Sequence, residues 1–565
     1  MDRRKFLCAG AAFCALAVAM PSDRVTATPF KSNGDITDVL ARSSPGDTVR
    51  VETGIWTVSR SIRVAAKTLF DGGILLPAPG CVITFEQDIE TPVDRQLFDL
   101  RNVTWAKGIR RSSALKRSSH QWHTVGGVRL PNLAKASWFG AVEKSGFDNT
   151  LVLQAMLDSE ARVAVLDGFY EHTANWLAKD QTLRGEAGFE DDRRVGLKTL
   201  VHQQSFASLL ENRNPRSPAD EAFRGLSTRP NAGDVVFADF EYDGSADQHF
   251  DHRDVYSSYL SETGGRPAGK NAFRRFLLRQ GGINVGSFDD DQGYRPPSST
   301  LIERVYIHDT VRSCIIANDA PQVTIRDCNL ANSDTDHLIY ADRNPDILIE
   351  GTTFSGYSHA GMIVLSCGTI RDCSVTNLTP NPMTGLDTQW VVWLRSDIDY
   401  PSTIEGLSII GDLSALDKSG GLSEVILFTG QRSAYLGDIE VRHTGGNGAN
   451  IALFGNRRAS SRIAIYTLDA SAMPEGATLW STTKRVRDLS IENVRWGYAD
   501  GEVEAPALLN FGALENASFD NLQLTNGHLD TLVSVSRGSR DIGIGDIDGQ
   551  ERVGRLIVRG LGRSG

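Results

Sequence analysis

The chain has 565 residues, of which 40% are hydrophobic and 23% are charged, and its formal net charge is -11. A chain of this length and composition can bury a large core and is typical of a soluble globular protein. The sequence contains no dense run of lysine and arginine. We therefore expect no nucleic-acid partner, because phosphate binding requires concentrated positive charge.

The N-terminus has the order of an export signal. The basic tripeptide at 3–5 precedes an apolar run at 6–20, and small residues follow up to Ala27. The run is short for a membrane span, so we expect cleavage after about Ala27 and no transmembrane segment. The pattern resembles a twin-arginine signal, with an ordinary secretory signal as the alternative. We assign residues 1–27 to the signal and expect a periplasmic or extracellular bacterial protein.

The remaining chain divides into two predicted units. Residues 28–135 are predicted to form a small β-rich N-terminal domain, and residues 137–565 a larger repetitive domain. Within the larger unit, the polar stretch at about 203–300 is predicted to be a long loop insertion. Long stretches without regular structure in a compact fold are usually functional loops or lids.

One pentapeptide occurs twice in the larger unit. Thr-Ile-Arg-Asp-Cys stands at 324–328 and again at 369–373, and degenerate copies place equivalent isoleucines at Ile302, Ile325, Ile349 and Ile370. A second short apolar strand lies between successive copies. A period of about two dozen residues built from strands is typical of a β-solenoid, in which stacked coils share one core.

The same period decides the role of the repeated cysteines. Cys328 and Cys373 would lie two coils apart, roughly 9–10 Å at the usual spacing of stacked strands, which is beyond disulfide reach. Five cysteines remain beyond residue 27, and none forms a CxxC or zinc-type spacing. We therefore expect core thiols and no disulfide framework.

The segment 137–186 carries a family resemblance. It contains Trp-Phe-Gly-Ala at 138–141, Asp-Asn-Thr at 148–150, a helix at 151–159 and a first strand at 163–166. It resembles the entry segment of the pectate-lyase-like, right-handed parallel β-helix superfamily, which phage tailspikes share. The resemblance implies an all-β solenoid with a short N-terminal capping helix, and in this superfamily the fold does not determine the function.

Stacked coils place equivalent residues above one another, so a site would form a ladder across coils. Aligning the strands between the repeats predicts one polar outward face over four coils, with two histidines at its edge. The candidate catalytic residues are Asp319, His337, Tyr340, Asp342 and Arg395, and the candidate substrate-binding residues are His359 and Trp393. A slip of one residue in the alignment would invert the face.

Each candidate also has an ordinary structural explanation. Asp319 and Asp342 stand in turn sequences and could simply cap turns. Tyr340 and Trp393 could be surface aromatics, although an exposed tryptophan beside polar groups also suits sugar stacking. A single histidine such as His337 is more often structural than catalytic.

Two chemistries fit such a face. A lyase cleaving a uronate-containing polysaccharide by β-elimination would use Arg395 to neutralise the uronate or to act as the base, and Tyr340 or His337 to carry a proton. A glycoside hydrolase would use Asp319 and Asp342 as paired carboxylates. We favour the lyase; a non-catalytic glycan-binding or surface-attachment protein is the third alternative.

The partner expected in every case is a polysaccharide. Calcium is a possible cofactor, held by Asp319 and Asp342 or by the acidic run 289–291, because calcium prefers oxygen ligands. If the outward ladder were inactive, the next candidates would be Asp251, His252 and Asp254 in the loop at 249–254.

Overall fold

The computed structural model describes the residues listed at the end of this paragraph. The predicted export signal, the acidic run 289–291 and the loop at 249–254 lie outside them. The described ranges are 34–92, 94–112, 117–177, 180–186, 194–200, 224–229, 231–248, 280–286, 297–383, 388–395, 400–416, 422–445, 450–499, 503–536 and 538–560.

The main body is a parallel β-helix in which 34 strands of the described chain form one continuous sheet. Every strand pairs in parallel with the equivalent strand one coil later, as Ile302 pairs with Ile325 and Ile325 with Ile349. Ile370 follows at the same position. All four of these isoleucines are fully buried. The prediction of a right-handed parallel β-helix with this period is confirmed.

The coils have three faces. The face that carries the repeated pentapeptide, here called the repeat face, is formed by strands Leu133–Lys135, Val163–Leu166, Thr182–Gly185, Asp234–Ala238, Ser299–Glu303, Val323–Arg326, Leu348–Glu350, Ser460–Ile465 and Arg540–Ile544, with the first parts of Gly368–Leu378, Ser402–Gly411 and Ala434–His443 and the middle parts of Thr478–Tyr498 and Leu509–Leu524.

The second face follows the repeat face around each coil. Its strands are Phe169–His172, Gly196–Thr199, Glu241–Asp243, Tyr306–Thr310, Asn329–Ser333, Thr353–Gly356, Leu468–Met473 and Ile547–Asp548, together with the last parts of the five long strands named above.

The third face, here called the groove face, completes the coil. Its strands are Ala174–Leu177, Arg224–Thr228, Gln280–Gly286, Ile315–Asn318, Ile339–Asp342, Ala360–Leu365, Thr388–Arg395, Ser423–Thr429, Ile451–Asn456, Glu504–Ala505, His528–Ser536 and Val553–Gly560, with the first parts of Thr478–Tyr498 and Leu509–Leu524.

A left-handed corner explains why the pentapeptide recurs. Asp327 and Asp372 have φ values of 53° and 49°, and Gly351 has the corresponding position in the coil between them, with φ 57°. Aspartate and glycine adopt this conformation more readily than most residues, so the corner selects them. The residue before the corner faces outward, and the cysteine after it begins the next strand facing inward.

The cysteines are structural, as expected from the period. All five described cysteines are free, and Cys328 and Cys373 are each only 3% exposed. Burial raises the pKa of Cys328 to about 12 and that of Cys373 to about 11. Thiols held protonated in a core are poor nucleophiles and poor metal ligands.

The entry to the solenoid also matches the prediction. Helix Thr150–Leu157 precedes strand Val163–Leu166, and the 3₁₀ helix Ala136–Phe139 lies before it. Asn149 is fully buried and its side chain bonds both the amide and the carbonyl of Val142. This residue therefore ties the loop before the helix to the helix start.

The N-terminal segment is rich in strands, as predicted. Its helix is Thr37–Ala41, and most of its strands pair in parallel, as Thr48–Val58 does with Lys67–Pro77. Its other strands are Gly34–Asp35, Ile62–Val64, Val82–Phe85, Ile89–Glu90 and Gly127–Arg129, with the antiparallel pair Thr104–Ser112 and Arg117–Val125. The boundary at 28–135 stays a prediction.

The stretch 203–300 is not one continuous loop. Strands Arg224–Thr228, Asp234–Ala238, Glu241–Asp243 and Gln280–Gly286 lie within it and belong to the solenoid sheet. These strands are short and are separated by polar segments, so the polar average of the region concealed their apolar inward residues. The prediction of a single long insertion was wrong in this respect.

Candidate functional site

The groove face has a register that confirms part of the predicted ladder and corrects its first coil. Tyr340, Val364 and Trp393 occupy equivalent outward positions on successive coils. On the coil before them, however, Ile316 pairs with Tyr340 and Asn318 pairs with Asp342. The prediction had placed Asp319 on this outward face, so it was wrong by one residue on that coil.

Four predicted residues come together on this face, and we call them the aromatic–arginine cluster: His337, Tyr340, Trp393 and Arg395. The rings of His337 and Tyr340 stack, with centroids 5.4 Å apart and an interplanar angle of 15°. Trp393 meets His337 edge to face at 6.5 Å. The cluster spans three coils, which is possible because stacked coils lie only about 5 Å apart.

Arg395 joins the two ends of the cluster. Its Nη1 donates a hydrogen bond of 3.0 Å to the Tyr340 hydroxyl oxygen, and its guanidinium carbon lies 5.5 Å from the centre of the Trp393 ring. Trp393 is fixed in turn, because its indole N–H donates to Thr429 Oγ1 at 2.9 Å. Arg395 makes no ion pair with any described residue, so its charge remains available to a ligand.

The Tyr340 phenol keeps its proton in the resting protein. Burial raises the pKa of Tyr340 above its ordinary value, and the nearby Arg395 offsets this only in part. Since the hydroxyl oxygen accepts from Arg395, the hydroxyl hydrogen is left to be donated elsewhere. The geometry therefore suits Tyr340 to give a proton to a ligand.

His337 is held by both of its ring nitrogens. Nδ1 lies 2.6 Å from the carbonyl oxygen of Gly361, and Nε2 lies 3.0 Å from an Asp336 carboxylate oxygen. The ring is 7% exposed at the residue level. With both nitrogens facing protein oxygens, His337 is arranged to position Tyr340 by stacking and has no nitrogen directed at a ligand.

Asp336 helps to hold His337 in place. It was not among the residues predicted from the sequence. Its second carboxylate oxygen accepts a 3.0 Å hydrogen bond from Arg312 Nε. Burial alone would raise the pKa of Asp336, but His337 and Arg312 outweigh burial and hold this pKa well below its ordinary value. The carboxylate directly before His337 in the chain was the available signal.

Asp342 and Asp319 do not form a matched pair of carboxylates. Asp342 is half-buried, lies two residues after Tyr340 on the same face, and makes no side-chain hydrogen bond or ion pair within the described chain. Asp319 instead lies in a left-handed turn with φ 53°, and both of its oxygens accept from Arg343 at 2.5 Å. The turn explanation for Asp319 fits this geometry.

His359 stands directly before the groove-face strand Ala360–Leu365, one coil after His337. Its residue is 9% exposed, and its backbone N–H donates to the carbonyl oxygen of Asp336 at 2.7 Å. With so little exposure, its side chain offers little surface to a ligand. The structure thus gives no support to His359 as a substrate-binding residue, which stays a prediction.

Three further residues extend the groove face and were not expected from the sequence. Trp390 contacts Trp393 with ring centroids 5.1 Å apart, and its indole N–H donates to Glu424 at 3.0 Å. The guanidinium of Arg457 lies 4.4 Å from the centre of the Trp390 ring. A strip of aromatic rings and arginines therefore runs onward from the cluster.

The calcium site predicted at Asp319 and Asp342 does not fit the arrangement of these residues. The guanidinium of Arg343 already occupies both oxygens of Asp319, so this carboxylate is not free to bind a cation together with Asp342. Across the described ranges, no group of three or more His, Cys, Asp and Glu side chains is close enough to hold a metal ion. We derive no step through calcium.

A second titratable cluster lies on the second face, at Tyr306, His308 and Glu241. His308 bonds Glu241 at 2.9 Å and Asp309 at 2.7 Å, and its ring stacks on Tyr306 with centroids 4.4 Å apart. Burial opposes the charged ring, but Asp309 and Glu241 outweigh it and raise the pKa of His308 to about 9. Both ring nitrogens of His308 and the Glu241 carboxylate thus have protein partners, which is typical of a structural network.

One family model agrees with the fold. The model described as "Right handed beta helix region" matches residues 279–385, which include Tyr340. No curated protein matches the chain. None of the helices in the described ranges is long and apolar enough to cross a membrane.

Among solved structures, three similar proteins have low identity. The A-module of mannuronan C-5 epimerase AlgE6 from Azotobacter vinelandii is 11% identical, covers 76% of this chain and 100% of its own, and has a TM-score of 0.45. The enzymatically active domain of bacteriophage CBA120 tailspike protein 2 is 12% identical, with coverages of 74% and 52% and a TM-score of 0.33. The catalytic unit of the GH87 alpha-1,3-glucanase from Streptomyces thermodiastaticus is also 12% identical, with coverages of 76% and 69% and a TM-score of 0.29.

Proposed function

We propose that this right-handed parallel β-helix is an exported enzyme that acts on an acidic polysaccharide and cleaves it by β-elimination. The observation that carries the proposal is the hydrogen bond from Arg395 to the Tyr340 hydroxyl, beside the Asp342 carboxylate. A lyase needs a cation for the uronate carboxylate, a base and a proton donor. These three side chains supply one group for each task.

Arg395 would bind the carboxylate of the uronate. Pairing a guanidinium with that carboxylate stabilises the negative charge that develops when the neighbouring carbon loses its proton. Arginine suits the task because its planar fork matches a carboxylate.

Asp342 and Tyr340 would then move the protons. The Asp342 carboxylate takes the proton from the carbon beside the uronate carboxyl, and the electron pair forms a carbon–carbon double bond. The glycosidic carbon–oxygen bond breaks, and Tyr340 donates its proton to the departing oxygen. Solvent returns the proton from Asp342 to Tyr340, so the protein emerges unchanged.

A glycoside hydrolase is less well supported by the same residues. It would need two carboxylates free to act as acid and base or nucleophile. Asp319 is engaged by Arg343, so its pairing with Asp342 lacks a free partner.

Product analysis tests the proposal. Purified protein is incubated with a panel of acidic and neutral polysaccharides, and products are followed by ultraviolet absorbance and by reducing ends. We expect new reducing ends together with absorbance from an unsaturated sugar. Reducing ends without absorbance would indicate a hydrolase, and binding without products would indicate a glycan-binding protein.

Export has its own test. N-terminal sequencing of protein recovered from the periplasm or the medium should give a start close to residue 28. An intact Met1 on the exported protein would contradict cleavage.

A further inference from the structure

Arg395 and Arg457 occupy equivalent positions two coils apart on the groove face. Arg395 pairs with Thr429, and Phe428 pairs with Asn456, so Arg457 follows Asn456 as Thr429 follows Phe428. The Arg457 N–H donates to the carbonyl oxygen of Phe428 at 3.0 Å, which continues the ladder. Two coil spacings separate the two backbones by roughly 9–10 Å.

Both guanidinium groups rest on one pair of indole rings. Arg395 lies against Trp393 and Arg457 against Trp390, at 5.5 Å and 4.4 Å from the ring centres. The two indoles contact each other. Cation–π contacts hold an arginine in place without neutralising it.

Neither charge is cancelled by the protein. Within the described chain, no carboxylate forms an ion pair with Arg395 or Arg457, whereas Arg343 is paired with Asp319. Arg457 is exposed and Arg395 half-buried. Two unneutralised guanidinium groups on one groove are therefore available to anions.

The coil between those of Arg395 and Arg457 carries neutral and acidic groups instead of arginine. It presents the neutral hydroxyl of Thr429 at the equivalent position, already bonded to Trp393, and the carboxylate of Glu424 nearby. A Cβ at Gly455 on the next coil would lie 2.3 Å from Glu424 Cγ, so glycine leaves the space that Glu424 needs. Strand Ser423–Thr429 of this middle coil thus directs a hydroxyl and a carboxylate toward the face, and neither attracts an anion as an arginine does.

We propose that the groove face binds a polysaccharide in which uronates alternate with neutral sugars. The uronate carboxylates bind Arg395 and Arg457, and a neutral sugar lies at Thr429. A pyranose chain that lies along the solenoid would place successive sugars on successive coils, which are about 5 Å apart. Anions on every second sugar thus match cations on every second coil. This inference rests on the proposed function and adds the substrate class to it.

Two groups of polymers test the inference. The first contains alternating uronate and neutral or N-acetylated sugars, such as hyaluronan and unsulfated chondroitin. The second contains homopolyuronates, namely polymannuronate, polyguluronate and polygalacturonate. Binding by affinity electrophoresis and cleavage by ultraviolet absorbance are measured with the full-length mature protein on both groups.

We expect binding and cleavage to favour the alternating polymers. Arg457→Gln should raise KM on them by about tenfold, the usual cost of losing one charge-assisted hydrogen bond, and leave kcat nearly unchanged. Arg442→Gln, on another face and paired with Glu440, is the matched control and should leave both constants unchanged. A weaker dependence on salt in Arg457→Gln would accompany the higher KM.

The outcomes separate this inference from the proposed function. Equal or better cleavage of homopolyuronates, or an unchanged KM in Arg457→Gln, would overturn the alternating pattern and leave the lyase proposal standing. Products without ultraviolet absorbance from both groups would overturn both proposals. Absence of binding to every alternating polymer would also count against the inference.

Discussion

The Arg395 guanidinium reaches across two coils to donate a 3.0 Å hydrogen bond to the Tyr340 hydroxyl. The two residues are 55 positions apart in the chain, and only the stacking of coils makes them neighbours. If they act together on one ligand, their contributions to the rate should not be independent.

A double-mutant cycle measures this coupling. Arg395→Ala and Tyr340→Phe should each lower kcat/KM on the cleaved polymer by about a hundredfold or more, because each removes a group used in the transition state. The double variant should be little worse than the poorer single variant, since either change disables the same unit.

Matched control variants distinguish a loss of catalysis from a loss of folding. Arg442→Ala and Tyr435→Phe change exposed residues on other faces and should retain full activity. All variants should keep the thermal midpoint of the parent within a few degrees. Effects that simply multiply in the double variant would show that the two side chains act separately.

Asp342→Asn tests the proposed base. The amide keeps the size of the side chain but cannot take a proton, so we expect kcat to fall by about a hundredfold to ten-thousandfold with little change in KM. Asp469→Asn, an exposed aspartate on the second face, is the control. Asp319→Asn should reduce activity far less. Wild-type turnover in Asp342→Asn would remove this carboxylate from the mechanism.

The His308 network predicts a pH-dependent stability. Because the folded-state pKa of His308 is raised to about 9 from an ordinary value of 6.5, its stabilising effect is fully present below about pH 6.5 and is lost as the pH rises through about 9. His308→Gln should therefore lower the thermal midpoint at pH 6 by several degrees and have a much smaller effect at pH 10. A constant difference at both pH values would contradict the assignment.

The left-handed backbone conformation at the corners determines which substitutions we expect the repeat to tolerate. Asp372 has φ 49°, so Asp372→Val should cost about 1–2 kcal/mol of unfolding free energy, whereas Asp372→Gly should cost much less. Thr369→Val, a nearby strand position on the same face, is the control and should be close to neutral. Urea denaturation of the three variants makes the comparison. Equal losses for valine and glycine would show that backbone conformation is not the constraint.

The fold was predictable because one physical requirement repeats in every coil. Inward positions such as Ile302, Ile325 and Ile349 must stay apolar to share a core, so their spacing is visible in the sequence. The strands within 203–300 could not be predicted from the sequence. Each contributes only a few inward apolar residues, and the long polar segments between them hide the spacing of these residues.

The candidate site was predictable only where apolar residues on both sides of a position showed that its side chain faces outward. Tyr340 and Trp393 stand between inward residues on both sides, so their outward direction could be inferred. Asp319 follows Asn318, the last residue of its strand, and enters a left-handed turn, where alternation no longer applies. The alignment slipped by one residue at that point.

Trp390 escaped prediction for another reason. Residues three apart in an ideal strand face opposite sides, yet Trp390 contacts Trp393. The pairing of their strand with the preceding coil shifts register between Ala360 and Gly361, which interrupts strict alternation near Trp390. Such a bulge depends on the neighbouring coil and leaves no clear pattern in the strand itself.

Each coil pairs only with the coils next to it. The solenoid can therefore unfold locally, coil by coil. Melting can begin at either end and advance one coil at a time, and the free energy of each step is set by the coil and its neighbour. The coils that carry Tyr340, Trp393 and Arg395 have paired strands on both sides. Amide hydrogens around these residues should consequently exchange more slowly than those of the terminal strand Val553–Gly560, and fraying at that end need not disturb the groove.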